Sequence, residues 1–210
     1  SMEIDHVIRR LRDYNFENIS RDIIFRCYQS AFDNRLYIDT DIESISGRPD
    51  FPDTIKRMSG AIIKAVNFLY HELNVIDHRL LPYTAQLVFL TVFFMKEPNP
   101  SARRIHDLTH WFWVTTYSNY FTTNSLSGQR KAFAQFIDYI EGWVDTPLHG
   151  LHSDMRIATQ PWPKKLSLSS ARAVALALFQ LRLVKENFGV PSVRRHLECS
   201  KIFKHVDSIP

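Results

Sequence analysis

The stretch L-T-H-W-F-W-V-T-T-Y-S-N-Y, from Leu108 to Tyr120, decides the fold class of this sequence. Ser101 stands before it, where its hydroxyl can cap the start of a helix. Apolar or small residues then recur at spacings of three and four, at Leu108, Trp111, Phe112, Val114 and Thr115. This spacing predicts a helix that buries a wide aromatic face.

Helical spacing recurs through much of the chain. Helices are predicted at 3–14, 21–32, 53–73, 82–95, 129–143 and 171–188. Asp53 and Ser127 are predicted as caps, and Pro82 as a first-turn residue. The segment that ends at Met95 is almost continuously apolar, which favours a central position. With only six glycines in 210 residues, we expect an all-α irregular bundle of about six to eight helices, as one domain or two closely packed subdomains.

Composition narrows the class of protein. With 45% hydrophobic and 13% aromatic residues, the chain can bury a sizeable core. No apolar run reaches the length of a membrane span, and the N-terminus lacks a secretory pattern, so a cytoplasmic protein is expected. Cys27 and Cys199 are predicted to be reduced, buried side chains, because two distant thiols make neither a disulfide framework nor a zinc site.

Four separated elements resemble one known family. They are the run 16–26, the run 65–69, the L-P-Y element with the apolar run after it, and the aromatic helix. Together they are similar to the helical half of the GmrSD-type restriction endonuclease family. The family-motif positions are Leu81, Pro82, Tyr83, Trp111, Phe112, Trp113, Thr115, Ser118 and Tyr120.

The resemblance implies a helical domain without the catalytic half. Full-length relatives begin with a ParB-like domain that carries a D-G-Q-Q-R type motif, and the sequence contains no Asp-Gly-Gln run. Some relatives end in an HNH nuclease, whose H-H-I-F-P type motif the run 204–210 echoes only faintly. We therefore expect Ser1 to be a cloning remnant, 2–145 the family-like domain, 146–166 a loop-rich connection and 167–210 a C-terminal helical segment.

Function is predicted mainly from this resemblance. It implies a non-catalytic domain of a defence protein that restricts modified or foreign DNA, and a parent that is a nucleotide-dependent nuclease. The expected partner is the ParB-like domain of the same parent chain, with DNA a further candidate, no membrane and no cofactor in this fragment. The alternative is an interaction or homo-oligomerisation scaffold without nucleic-acid contact. A third reading is a metal-dependent hydrolase.

Candidate site residues follow from charge and from metal-ligand spacing. The net charge is +4, and basic pairs favour a nucleic-acid partner, although solvated helix faces look the same. The nucleic-acid candidates are Arg103, Arg104, Arg130 and Lys131. The metal candidates are His106, His110, His149 and His152, which fall short of a complete ligand set. Hydroxyl groups near Thr115 either line a cleft or make helix-to-helix hydrogen bonds.

Overall fold

The computed structural model of the protein describes residues 2–37, 49–148 and 170–188. These ranges contain eight α-helices and no β-strand, which confirms the predicted all-α bundle. The helices are α1 (Met2–Leu11), α2 (Arg21–Asp33), α3 (Phe51–His71), α4 (Thr84–Lys96), α5 (Ala102–Tyr117), α6 (Tyr120–Thr123), α7 (Leu126–Glu141) and α8 (Ala171–Phe188). None of the described helices is both long enough and apolar enough to cross a membrane.

Helix α4 lies at the centre of the bundle, as its apolar sequence predicts. Every residue from Ala85 to Phe94 is buried, and α4 packs against α2, α3 and α7. The ring of Phe89 lies 5.3 Å from that of Trp111 and 4.8 Å from that of Phe133, between centroids. Because burying one such ring is worth about 1.5–3 kcal/mol, this aromatic cluster holds α4, α5 and α7 together.

The start of α5 confirms its predicted cap. Ser101 has an extended backbone, and its hydroxyl accepts a hydrogen bond from the backbone N–H of Arg104 at 3.3 Å. At the start of α7 the predicted cap is wrong. Ser125 holds that position and accepts from the N–H of Gly128 at 3.2 Å, while Ser127 lies inside the helix. Both serines are suitable caps, and the extended backbone at Ser125 decides between them.

Two other predicted helix starts are also wrong. Helix α3 begins at Phe51 with a proline in its first turn, so Asp53 lies within that turn rather than capping it. Pro52 lies before the predicted range but inside the observed helix. Proline is accepted in a first turn because its missing N–H has no helical partner there. Helix α4 begins at Thr84, after Pro82.

Helix α5 buries a wider face than the predicted stripe. Leu108, Trp111, Phe112 and Thr115 are buried as predicted, but Val114 is only partly buried. Trp113 and Thr116 are buried instead. The reason is that α5 is covered on a second side by α8, where the guanidinium of Arg182 lies 6.0 Å from the centroid of the Trp113 ring.

Helix α8 has the bounds that its sequence predicts. Val174 and Leu178 are buried, whereas Leu181 and Val184, also predicted to be buried, are only partly so. Most of the predicted connection at 146–166 lies outside the described residues, as do Cys199 and the run 204–210. The division into domains stays a prediction.

Candidate functional site

The two arginines at the start of α5 have different environments: one side chain is exposed and the other is partly buried. Arg103 is exposed. The Nε of Arg104 donates to Glu97 at 2.9 Å, and its Nη1 and Nη2 donate to the backbone carbonyls of Tyr139 and Ile140, each at 2.9 Å. Those carbonyls belong to the last turn of α7, where a cation interacts favourably with the negative end of the helix dipole. Arg104 therefore joins α5 to α7.

The second basic pair lies on α7, and both of its members are exposed. Arg130 donates from Nε to the carbonyl of Leu36 at 3.3 Å and from Nη2 to the carbonyl of Tyr37 at 3.0 Å. Unlike Arg104, it forms no ion pair with a carboxylate among the described residues. Lys131 also projects from the surface, but it does not line the cavity described below.

Most family-motif positions lie inside the bundle. The buried ones are Leu81, Trp111, Phe112, Trp113, Thr115, Ser118 and Tyr120. Pro82 and Tyr83 are partly exposed. The motif positions are therefore mainly core residues, and Tyr83 is the one that lines the cavity described below.

The hydroxyl groups of α5 make helix-to-helix hydrogen bonds. The fully buried amide of Gln86 donates from Nε2 to the hydroxyls of Thr115 at 2.9 Å and Thr116 at 3.0 Å. Thr115 in turn donates to the carbonyl of Trp111, one turn earlier. Of the two predicted roles for these hydroxyls, the contacts match the structural one. Gln86 is not among the residues predicted from the sequence, although a lone amide within the apolar run of α4 is a visible signal of a buried polar contact.

The histidine candidates of α5 remain apart from other metal ligands. His106 and His110 are exposed, and the nearest carboxylate contact is Nδ1 of His106 to Oδ1 of Asp107 at 3.9 Å. Across the described ranges, no three His, Cys, Asp or Glu side chains are grouped so that they could hold a metal ion. His149 and His152 lie outside the described residues.

Cys27 is buried on α2, as predicted. Burial raises the pKa of its thiol to about 12, against a smaller opposite effect of the hydrogen bond with Thr91. The thiol therefore stays protonated at neutral pH, and a protonated thiol is a poor nucleophile.

An open cleft of about 470 Å³ lies between α2, α4 and α7. It is lined by Arg26, Tyr37, Tyr83, Thr84, Ala85, Phe121, Leu126, Gln129 and Arg130. Two of these described lining residues are cationic and none is acidic. The volume falls within the range of small-ligand sites, about 300–1,000 Å³.

Both cleft arginines converge on Tyr37. The guanidinium carbon of Arg26 lies 5.9 Å from the centroid of the Tyr37 ring, and Arg130 is bonded to the Tyr37 carbonyl. The Tyr37 hydroxyl donates to Oε1 of Gln129 at 2.8 Å, which ties this arrangement to α7. Tyr37 has a φ of 56°, a left-handed conformation that is uncommon for a bulky residue and is often found at functional sites.

The tyrosines of the cleft are neutral at physiological pH. Burial raises the pKa of Tyr37, against the smaller opposite effect of the Arg26 charge. Burial also raises the pKa of Tyr83, against smaller effects of the Thr122 hydroxyl and the Arg172 charge. The cleft therefore combines cationic guanidinium groups with neutral phenol rings and can accept an anion that carries an aromatic or apolar part.

Two of the cleft residues are among the positions singled out from the sequence, Arg130 as a nucleic-acid candidate and Tyr83 as a family-motif position. Arg26, Tyr37 and Gln129 are not among them. Arg26 occurs inside a family-like run but resembles any solvated helical arginine, and neither Tyr37 nor Gln129 belongs to a motif. Comparisons of the chain with protein-family models, curated proteins and solved structures found no match.

Proposed function

We propose that this chain is the non-catalytic helical domain of a GmrSD-like restriction protein and that it contacts DNA through the cleft. Bond cleavage then belongs to other parts of the parent protein, and the helical domain packs against the ParB-like domain. The single observation that supports DNA contact is that Arg26 and Arg130 line the cleft and that no carboxylate is among its described lining residues. The assignment to the family rests on the sequence resemblance.

The electrostatics of the cleft support a phosphate partner. One guanidinium group contacts the Tyr37 ring and the other its carbonyl, so an anion beside Tyr37 would be attracted by two positive charges. Guanidinium also matches the planar geometry of phosphate oxygens. Thr84 and Ala85, in the first turn of α4, place the positive end of that helix dipole at the same cleft.

A salt series of binding to labelled double-stranded DNA tests this function. The variant is Arg26→Gln/Arg130→Gln, and the matched control is Arg9→Gln/Arg10→Gln, which removes the same charge from exposed positions on α1. If both cleft arginines contact phosphates, the slope of log K against log salt becomes shallower by about 2 in the cleft variant. An equal effect in the control indicates unspecific attraction, and no binding by the wild type at low salt rules out contact of this chain with duplex DNA.

One observation favours the second candidate, an interaction scaffold. The side chain of Trp143, just after α7, is 77% exposed, although its indole N–H bonds to Glu141 at 3.2 Å. Exposed tryptophan is enriched where protein partners bind. Sedimentation of the wild type and Trp143→Ser over a concentration series tests this function, since self-association that the substitution removes would support a homo-oligomeric scaffold.

A further inference from the structure

The walls of the cleft divide into a cationic part and an aromatic part. Arg26 and Arg130 stand around Tyr37 in the cationic part. Tyr83 and Phe121 form the aromatic part, with the side chain of Leu126, which is 57% exposed, at the rim. A ligand that fills both parts must carry an anionic group next to a flat or apolar group.

The cationic part has hydrogen-bond donors left for a ligand. Arg130 uses Nε and Nη2 on the carbonyls of Leu36 and Tyr37, and no described residue engages its Nη1. Arg26 contacts the face of the Tyr37 ring without an ion pair among the described residues. Among the described residues, backbone carbonyls and an aromatic face position these guanidinium groups without neutralising them, which leaves their positive charge for a phosphate.

The aromatic part is held in place before any ligand arrives. The hydroxyl of Tyr83 bonds to the side chain of Asn119 and accepts from the hydroxyl of Thr122 at 3.3 Å. The ring of Tyr83 is tilted against that of Phe121, with centroids 5.3 Å apart. An immobilised, partly exposed ring is a suitable platform for a base, because base stacking needs little sequence-specific bonding.

The geometry points to a site for one unpaired nucleotide unit, with its phosphate on Arg26 and Arg130 and its base against Tyr83 and Leu126. This inference rests on the proposed DNA contact and narrows it to a particular state of the nucleic acid. In an intact duplex the faces of each base are covered by neighbouring bases, so the aromatic part would have no base to contact. A single strand and a free nucleotide share the required chemistry.

Binding of a labelled short oligothymidylate tests the inference, with a duplex of equal length and thymidine monophosphate as parallel ligands. The variants are Arg26→Gln and, at the rim, Leu126→Asp, which adds a negative charge at an exposed site. The matched control is Arg103→Gln, an exposed arginine outside the cleft. We expect each cleft variant to weaken single-strand binding about tenfold, and the control to stay within about twofold.

The competing ligands distinguish binding of a whole nucleotide from binding of phosphate alone. Displacement of the oligothymidylate by thymidine monophosphate, but not by equal inorganic phosphate, supports a site that holds both phosphate and base. Equal displacement by phosphate overturns the role of the aromatic part. Duplex binding without single-strand binding overturns this inference and leaves the proposed function standing, whereas no binding to any DNA overturns both.

Discussion

Two arginines that look alike in the sequence occupy opposite kinds of environment. Arg104 lies between α5 and α7, where Glu97, two terminal carbonyls and the ring of Tyr139, 4.2 Å away, engage its guanidinium. Arg130 lies at the rim of the cleft and bonds only to carbonyls among the described residues. A basic pair therefore does not mark a binding surface by itself. The criterion is whether a carboxylate neutralises the guanidinium, as it does for a structural cation, or whether the charge stays available to a ligand.

The largest expected effect is on the structural side of this comparison. Arg104→Ala removes an ion pair and two bonds to the end of α7, so it should lower the free energy of unfolding by about 2–4 kcal/mol. Urea unfolding measures this loss. Arg103→Ala, at the neighbouring exposed position, is the control and should change stability by less than about 0.5 kcal/mol. Equal effects of the two substitutions would break the distinction between them.

Tyr139 sharpens the same side of the comparison. Tyr139→Phe keeps a ring beneath Arg104 but removes the bond from the phenol to Oδ2 of Asp107, 3.1 Å long. The expected loss of unfolding free energy is about 1 kcal/mol. Asp107→Asn is the companion variant, because it retains an acceptor for the phenol. A loss as large as that of Arg104→Ala would mean that the phenol, rather than the guanidinium, holds the two helices together.

The Tyr139 phenol also predicts a dependence on pH. Burial raises its pKa from 10.0 to about 12, against the smaller opposite effect of Arg104. The unfolded chain therefore releases this proton first, so the stabilising contribution is present below pH 10, falls above it and is lost as pH rises through about 12. Between pH 10 and pH 12 the free energy of unfolding should fall less steeply with pH for Tyr139→Phe than for the wild type. It should not become flat, because burial also raises the pKa of Tyr28 to about 12.

Arg130, in the cleft, should matter more for DNA binding than for stability. Arg130→Ala should lower the free energy of unfolding by no more than about 1 kcal/mol, because it loses two bonds at an exposed position. It should weaken DNA binding about tenfold, since a charge-assisted contact to phosphate is lost. Unfolding and binding measured on one preparation separate the effects. A large loss of stability with unchanged DNA binding would place Arg130 in the same class as Arg104.

The smallest effect is expected for the exposed histidines of α5. His106→Ala/His110→Ala should change the free energy of unfolding by less than about 0.5 kcal/mol, because both side chains are exposed. The melting temperature with and without zinc provides the measurement. A zinc-dependent increase in the wild type that the double substitution abolishes would contradict this expectation and support the metal-dependent alternative.

The sequence predicted the elements better than the site. The apolar spacing in α8 was sufficient to predict that helix, because a helix with one buried face repeats its apolar residues at a fixed period. The continuous apolar run of α4 was sufficient to predict its central position. The cap at Ser101 was also predicted correctly, but Ser125 and Ser127 are chemically equal and differ only in backbone conformation. The cleft contains residues from separate helices and from the segment after α2, and no spacing in one segment brings Arg26, Tyr37 and Arg130 together.

By itself the sequence determined an all-α fold with α4 at its centre. The reason is that burying apolar side chains away from water is favourable, so a helix that is apolar on every side takes the central position. Only the tertiary structure decided which of the basic and hydroxyl side chains became internal. Arg104 bonds to a carboxylate and a helix end, and Thr115 bonds to Gln86. Among the described residues Arg130 bonds only to carbonyls, which do not neutralise its charge. The physical reason is that hydrogen bonds and charge neutralisation depend on partners distant in sequence, which periodicity along one helix does not specify.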